Sequence, residues 1–349
     1  AARIMNKVSV TTVTPVYSGK DFLPDLITRI EQVRDKWSNS KSPLELTEAI
    51  FVNDASKDGS LPVLYEIRKT KPWVNVINLS RNFGQHQATV AGILHSSGDW
   101  IVTMDEDLQH DPSFIDTLLE SAIKSELDIV YANPEQNVHE NPLRDWTSRT
   151  FKSLVSYLTG NPHVREFNSF RLIRGSIARA SGSVCSHGTY FDVALCWFTN
   201  RISSIKLPLK DVRFVASGKS GYTMRKLFSH ARRMIVSSET KIVRIGAAIG
   251  FFAMFITVLL GSKILYNKFF HPESIPVQGW TSLFLTLLFF SGLLAVLSGI
   301  ILQYLSVILL HIQGKPTFFV VDRLPDRILL DYYKDRKAND RFSTTFPSE

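Results

Sequence analysis

Trp100-Ile101-Val102-Thr103-Met104-Asp105-Glu106-Asp107-Leu108-Gln109-His110-Asp111-Pro112 reads as a short apolar strand running directly into an acidic turn. The stretch Trp100–Met104 shows no polar alternation, as expected of a strand covered on both faces. Asp105 and Asp107 are two residues apart on a strand end and so project to one side, and Gln109 adds an uncharged amide oxygen. Glu106 points the other way. Two carboxylates and an amide are hard oxygen donors, suited to Mg²⁺ or Mn²⁺, and they leave coordination positions for water and diphosphate oxygens. On its own the pattern predicts a divalent cation gripping a diphosphate.

On either side of this stretch the first 200 residues alternate between strand and helix patterns. Val8–Val13, Ala49–Val52, Val74–Leu79, Trp100–Met104 and Asp128–Tyr131 read as strands. Leu23–Trp37, Leu61–Lys69, Gln85–Leu94 and Ser113–Lys124 read as helices between them. The alternation predicts an α/β, Rossmann-like, mostly parallel sheet covered on both faces. Ligands on such sheets bind beyond the carboxyl ends of the strands. The polar segments there are Thr14-Pro15-Val16-Tyr17, Asn53 to Ser60, Ser80 to His86 and Asp105 to Gln109. A nucleotide-dependent dehydrogenase is excluded, because Thr14 to Gly19 is no Gly-rich fingerprint. His86, His110, His163 and His187 lack the spacing of a zinc site and read as structural or incidental.

The second half differs in kind. Ile245–Ser262 and Thr281–Leu310 contain no charged residue, and each is long enough to cross a bilayer as a helix. Between Arg201 and Arg244 stand eleven Lys or Arg against only Asp211 and Glu239, whereas the whole chain carries +8. The basic excess therefore lies just before the first apolar run. By the positive-inside rule the catalytic part and both termini face the cytoplasm. Met224, Leu227, Phe228, Ala231, Ile235 and Val236 recur at helical spacing among the basic residues, predicting an amphipathic helix on an anionic membrane surface. No nucleic acid is expected as a partner, and no segment reads as a secretory signal. Cys185 and Cys196 fall in the cytoplasmic part and are read as reduced thiols. The expected organisation is a catalytic domain over 1–216 and a loop plus juxtamembrane helix over 217–244. Two spans follow over 245–310, joined by a non-cytoplasmic loop at 267–279, and then a cytoplasmic tail over 311–349.

The ordered strand-end segments, with Met104 to Pro112 as the most specific, resemble the family-two glycosyltransferases of GT-A fold. Within them the chain is similar to the polyprenyl-phosphate glycosyltransferases, a group that includes bactoprenol glucosyltransferases and dolichol-phosphate mannose synthase. The resemblance runs from about Val8 to about Val321. It implies a nucleotide-sugar donor, a polyprenyl phosphate acceptor, a membrane location and homo-oligomers. It also implies that Asp107 and Gln109 are metal ligands and that Asp105 supports the metal or the ribose. Asp54 would meet the base or ribose, Pro15 and Tyr17 would wall the nucleotide, and Arg81 would lie near them. Glu106 departs from the usual Asp-Ala-Asp-Leu-Gln.

Arg165-Glu166-Phe167-Asn168-Ser169-Phe170-Arg171-Leu172 resembles the family's Asp-x-Gly-x-Phe-Arg-Leu segment near the transferred sugar. Glu166 replaces the Asp and Asn168 replaces the Gly, a mild change if the position needs a positive φ. Ser169 is carried over as a substrate contact. A phosphate monoester has a second pKa near ~6, so the acceptor needs no strong base and cations become the informative residues. Arg171 is the expected phosphate clamp, with Arg144 second and Lys219 in the Ser217–Tyr222 loop as a third contact. A processive polysaccharide synthase would carry a Gln-x-x-Arg-Trp motif and more spans, and neither is present. A non-catalytic membrane scaffold has only Glu106 and Glu166 in its favour. The expected reaction is inverting single displacement at the cytoplasmic membrane face, which transfers a sugar from a nucleotide-sugar, most simply a UDP-hexose, to polyprenyl phosphate for cell-envelope glycan modification.

Overall fold

A computed structural model describes residues 7–40, 42–135, 162–185, 189–209, 241–271, 279–312, 326 and 328–334. In the first unit, β1 (Val8–Val16), β2 (Leu44–Asn53), β3 (Val74–Asn78) and β4 (Trp100–Thr103) are parallel neighbours. Among the described residues the sheet has the order β3-β2-β1-β4-β6-β5-β7, where β5 is Ile129–Pro134, β6 is Arg171–Arg174 and β7 is Ile202–Leu207. Strand β6 runs antiparallel to both neighbours, and β7 pairs parallel with β5. The mostly parallel sheet is as expected. Strands β6 and β7 have no counterpart among the expected strands. Four residues that begin and end in arginine do not look like the centre of a sheet, yet all four are buried.

Helices α1 (Leu23–Asn39), α2 (Ser60–Thr70), α3 (Gln85–Leu94) and α4 (Ile115–Lys124) connect the early strands. Helix α1 buries Leu23, Leu26, Ile27, Ile30, Val33 and Trp37, the 3–4 spacing that turns one face to a core. The sheet is covered on both faces. One cluster holds Val10, Phe51, Trp100, Leu118 and Leu172, and the other holds Val13, Ile101, Tyr131 and Ile173. Short helices α5 (Gly175–Val184) and α6 (Phe191–Leu195) follow β6. The chain order runs outward from β1 to β3 on one side and from β1 to β4 on the other. The order therefore reverses between β1 and β4, and a crevice forms at their carboxyl ends.

The expected tail does not stay apart from this unit. Leu329 and Tyr333 are fully buried in its core, and the Tyr333 hydroxyl lies 3.1 Å from Asp116 Oδ1. Arg174 donates two hydrogen bonds to the Asp326 carboxylate, at 3.0 and 2.7 Å. The apolar pairs Leu329-Leu330 and Tyr332-Tyr333 are the signal in the sequence for this return.

The second unit holds α7 (Lys241–Phe270) and α8 (Trp280–Ile312), which pack on each other. Gly261 faces Leu285 and Gly292 faces Met254, so small residues let the two helices approach. Among the described residues one helix, over Ser282–Leu302, is long and apolar enough to cross a membrane.

Candidate active site

The acidic turn after β4 is bent by its own residues. Leu108 has φ 63°, a left-handed backbone unusual for a non-glycine, and its side chain packs on the core. This bend returns His110 to the start of the turn, where its Nδ1 accepts the Asp105 N–H at 2.9 Å. The His110 ring is buried and stacked on Phe170, with centroids 4.9 Å apart. With Nδ1 engaged as an acceptor, its 3.9 Å approach to Asp105 is no ion pair. These two contacts tie His110 to the turn and to Phe170.

Asp105 is oriented from two sides. Its Oδ1 accepts Gln85 Nε2 at 2.6 Å, and its Oδ2 accepts Ser169 Oγ at 2.9 Å. Gln85 opens α3, and Ser169 stands two residues before β6. The Asp107 carboxylate accepts the Gln109 N–H at 3.3 Å and is largely buried. The fold thus brings together Asp105, Asp107, Gln109 and Ser169. Sequence reasoning missed Gln85, although the segment after β3 is the correct place to look for it.

Asp54 is held by backbone N–H groups of the segment after β3. Its Oδ1 accepts the Phe83 N–H at 2.7 Å and its Oδ2 accepts the Gly84 N–H at 2.8 Å, just ahead of α3. A carboxylate at a helix start satisfies backbone donors and favours the helix dipole. Gly84 has φ +97°, a conformation that favours glycine. Asp54 therefore sets the position of Gln85, and through it of Asp105. Pro15 is buried within β1, Tyr17 stands exposed just beyond it, and Arg81 lies over the Phe83 ring at 4.7 Å.

Arg171 requires a correction. It is 4% exposed, pairs with buried Asp192, donates to Asn168 O at 3.2 Å and lies over Phe191. The Tyr131 hydroxyl donates to the same Asp192 oxygen at 2.8 Å. Period two in β6 sends Arg171 to one face of the sheet and Arg174 to the other, each to a buried aspartate. Burial works against the charge of Arg171, and Asp192 outweighs it, so its pKa lies above the ordinary value. Burial first, and then the Asp192 charge, push the Tyr131 phenol well above its usual range. This guanidinium is committed to the core and is not a phosphate clamp.

Asn168 is also explained otherwise than expected. Its backbone is not left-handed; instead its amide donates to Ala132 O and reaches Asn133 Oδ1 at 3.5 Å, tying the segment to β5. Glu166 Oε2 lies 3.6 Å from His163 Nδ1. Cys185 and Cys196 are free thiols, and burial pushes the pKa of Cys185 up to about 12. Arg144, Lys219 and most of the expected juxtamembrane helix lie outside the described residues.

Among the described residues no three His, Cys, Asp or Glu side chains gather into a ready-made metal cage. The donor set still fits Mg²⁺ or Mn²⁺, which are commonly held by one or two carboxylates while substrate phosphates and water complete the coordination.

The chain is 24% identical to the SfII prophage-derived bactoprenol glucosyl transferase of Shigella flexneri, over 90% of this chain and 97% of that one. It is 27% identical to the undecaprenyl-phosphate 4-deoxy-4-formamido-L-arabinose transferase of Pseudomonas syringae, over 89% of each. Among solved structures, glucosyl-3-phosphoglycerate synthase from Mycobacterium tuberculosis, crystallised with Mn²⁺ and UDP-glucose, is 14% identical with a TM-score of 0.43, over 66% of this chain and 78% of that one. The profile described as glycosyl transferase family 2 matches residues 11–186, half of the chain and the part that carries the acidic turn, Gln85 and Ser169, so the chain belongs to glycosyl transferase family 2.

Proposed function

We propose that this glycosyltransferase moves a sugar, with inversion, from a nucleotide-sugar to a polyprenyl phosphate at the cytoplasmic membrane face. The observation that carries the reading is the oriented pair Asp105 and Asp107 at the β1/β4 crevice, in a chain that also holds an apolar helix of membrane-spanning length. The two named relatives act on bactoprenol and undecaprenyl phosphate, which supports the same acceptor class here. The family match and the intact acidic turn count against a non-catalytic scaffold.

Asp107 and Gln109 would hold Mg²⁺ or Mn²⁺, with Asp105 turned by Gln85 and Ser169 toward the metal or the ribose. The cation, when bound, neutralises the charge that develops on the departing diphosphate. The protein's own task is alignment of two anions, because the acceptor phosphate is already largely ionised near neutral pH. With Arg171 confined to the core, Arg144 and Lys219 are the remaining candidates for the lipid phosphate. Glu166 then orients rather than deprotonates. Glu166→Gln should lower kcat by no more than about tenfold, and a loss within the general-base range of about 10²–10⁴ would assign it as the base.

The fold also bears on topology. Arg174 in β6 and Asp326 beyond α8 are hydrogen-bonded, so a single crossing between them would separate the partners across the bilayer. That pairing supports an even number of crossings. Helix α7, with 30 residues and about 45 Å of length, would supply the second. The local basic excess before it supports a cytoplasmic catalytic domain. In sealed vesicles, single cysteines introduced at Ser343 and at Glu273 should label from opposite faces; labelling from one face refutes two spans.

The function itself is tested by incubating the purified protein with a panel of nucleotide-sugars, polyprenyl phosphate and Mn²⁺, then weighing the lipid product. A mass gain of one sugar is expected, and no product with any UDP- or GDP-sugar would overturn the reading.

A further inference from the structure

The loop that follows β1 has an unusual set of partners. Its four consecutive backbone N–H groups are all accepted by side chains from other strand ends. The Tyr17 N–H meets Glu106 Oε2 at 3.0 Å and the Ser18 N–H meets Glu106 Oε1 at 3.1 Å. The Gly19 N–H meets Ser60 Oγ at 3.2 Å, and the Lys20 N–H meets Asp58 Oδ2 at 3.0 Å. Asp58 also accepts the Ser60 hydroxyl at 2.7 Å, so the second half of the clamp is itself fixed. Successive N–H groups turned one way make a concavity that attracts anions. Here the anions are two carboxylates of the protein.

Glu106 stands between Asp105 and Asp107, and the resemblance supplies Ala at this position. Its side chain is largely buried and turns toward β1. Gly19 is matched to it, because a Cβ there would lie 2.4 Å from Glu106 Oε2 and 3.2 Å from Glu106 Cβ. The colliding oxygen is the end of a flexible side chain, so a methyl at residue 19 would expel the carboxylate rather than break the fold. Beside this clamp, Tyr17 keeps 48% of its surface exposed at the crevice mouth. The Gly19 carbonyl in turn accepts the Phe22 and Leu23 N–H groups and so starts α1.

We infer that Glu106 is a positioning residue for the donor: it locks the Tyr17–Ser18 backbone so that the nucleotide meets a preformed wall, and Gly19 is glycine to leave room for it. This rests on the proposed nucleotide-sugar reading. Hydrogen bonds to a charged acceptor contribute more than neutral ones, and rigidity before binding removes an ordering cost. The role is separate from that of Asp105 and Asp107, which face the cation.

The test is a double-mutant cycle on the full-length protein in detergent. Glu106→Ala should raise the donor KM by about tenfold with kcat changed by less than about threefold. Gly19→Ala should do much the same, because it displaces the same carboxylate. The double variant should match the worse single one rather than multiply the two effects. A fall in kcat at unchanged KM, or multiplying effects, overturns the inference. Hydrogen exchange provides a readout that needs no donor: amide protection at Tyr17 and Ser18 should fall in both single variants, and unchanged protection refutes the clamp. Loss of protection in both variants, with a wild-type protein that binds no UDP with Mn²⁺, would leave the clamp standing and overturn its link to the donor.

Discussion

Asp107→Ala is expected to reduce sugar transfer by at least about 10³-fold in purified protein supplied with donor, acceptor and Mn²⁺. Removing one pre-aligned electrostatic contact from a buried site costs about 10²–10³ in rate, and loss of the cation removes more than one such contact. Asp107 is largely buried, and its carboxylate is aligned by the Gln109 N–H, so the side chain is committed to this position before substrate arrives. The fold should survive, because Asp107 lies on a turn and outside both apolar core clusters. Melting within a few degrees of the parent, together with lost Mn²⁺ binding, completes the expected result. Full activity in this variant would sink the proposed mechanism. Ser169→Ala offers a graded comparison, since it removes one of the two side-chain donors to Asp105 and leaves both carboxylates in place.

Arg171→Ala should act on stability instead. The change leaves Asp192 charged and buried without its guanidinium partner, the Tyr131 hydroxyl still on its Oδ1. Breaking one side of a buried pair costs about 3–5 kcal/mol. For a domain of this size that corresponds to a fall in Tm of about 10 °C. Replacing both partners by apolar residues, as in Arg171→Met with Asp192→Leu, should recover much of the loss, because no uncompensated charge remains. A phosphate clamp would behave in the opposite way: Arg171→Ala would melt normally and lose affinity for lipid phosphate or diphosphate. Thermal melts beside acceptor titrations separate the two, and normal melting would restore the clamp.

The two outcomes trace what could be read from residues alone. The acidic turn is local, so Asp105, Asp107 and Gln109 could be singled out from spacing, and the strands β1 to β5 were legible from their β-branched runs, although β3 is only partly buried. Arg171 misled for a physical reason. An arginine beside a phosphate site and an arginine paired in a core look alike in one dimension. The deciding partner, Asp192, lies 21 residues away. Gln85 and Ser169 were hidden similarly, since each reaches Asp105 across the sheet rather than along the chain. Glu106 drew attention as a departure from the family pattern, but its backbone partners are about 90 residues distant.

The first five strands with the helices between them, the acidic turn and the uneven placement of apolar and basic residues were determined by the sequence itself. They are short-range properties: period, charge and donor type within a few residues. Which carboxylates gather at the end of β4, which hold backbone N–H groups, and which neutralise a buried arginine were decided only by the tertiary structure. The same is true of the return of Leu329 and Tyr333 to the core. A charged group's role depends on the counter-charge and burial it meets, and both come from chain segments that only folding brings together.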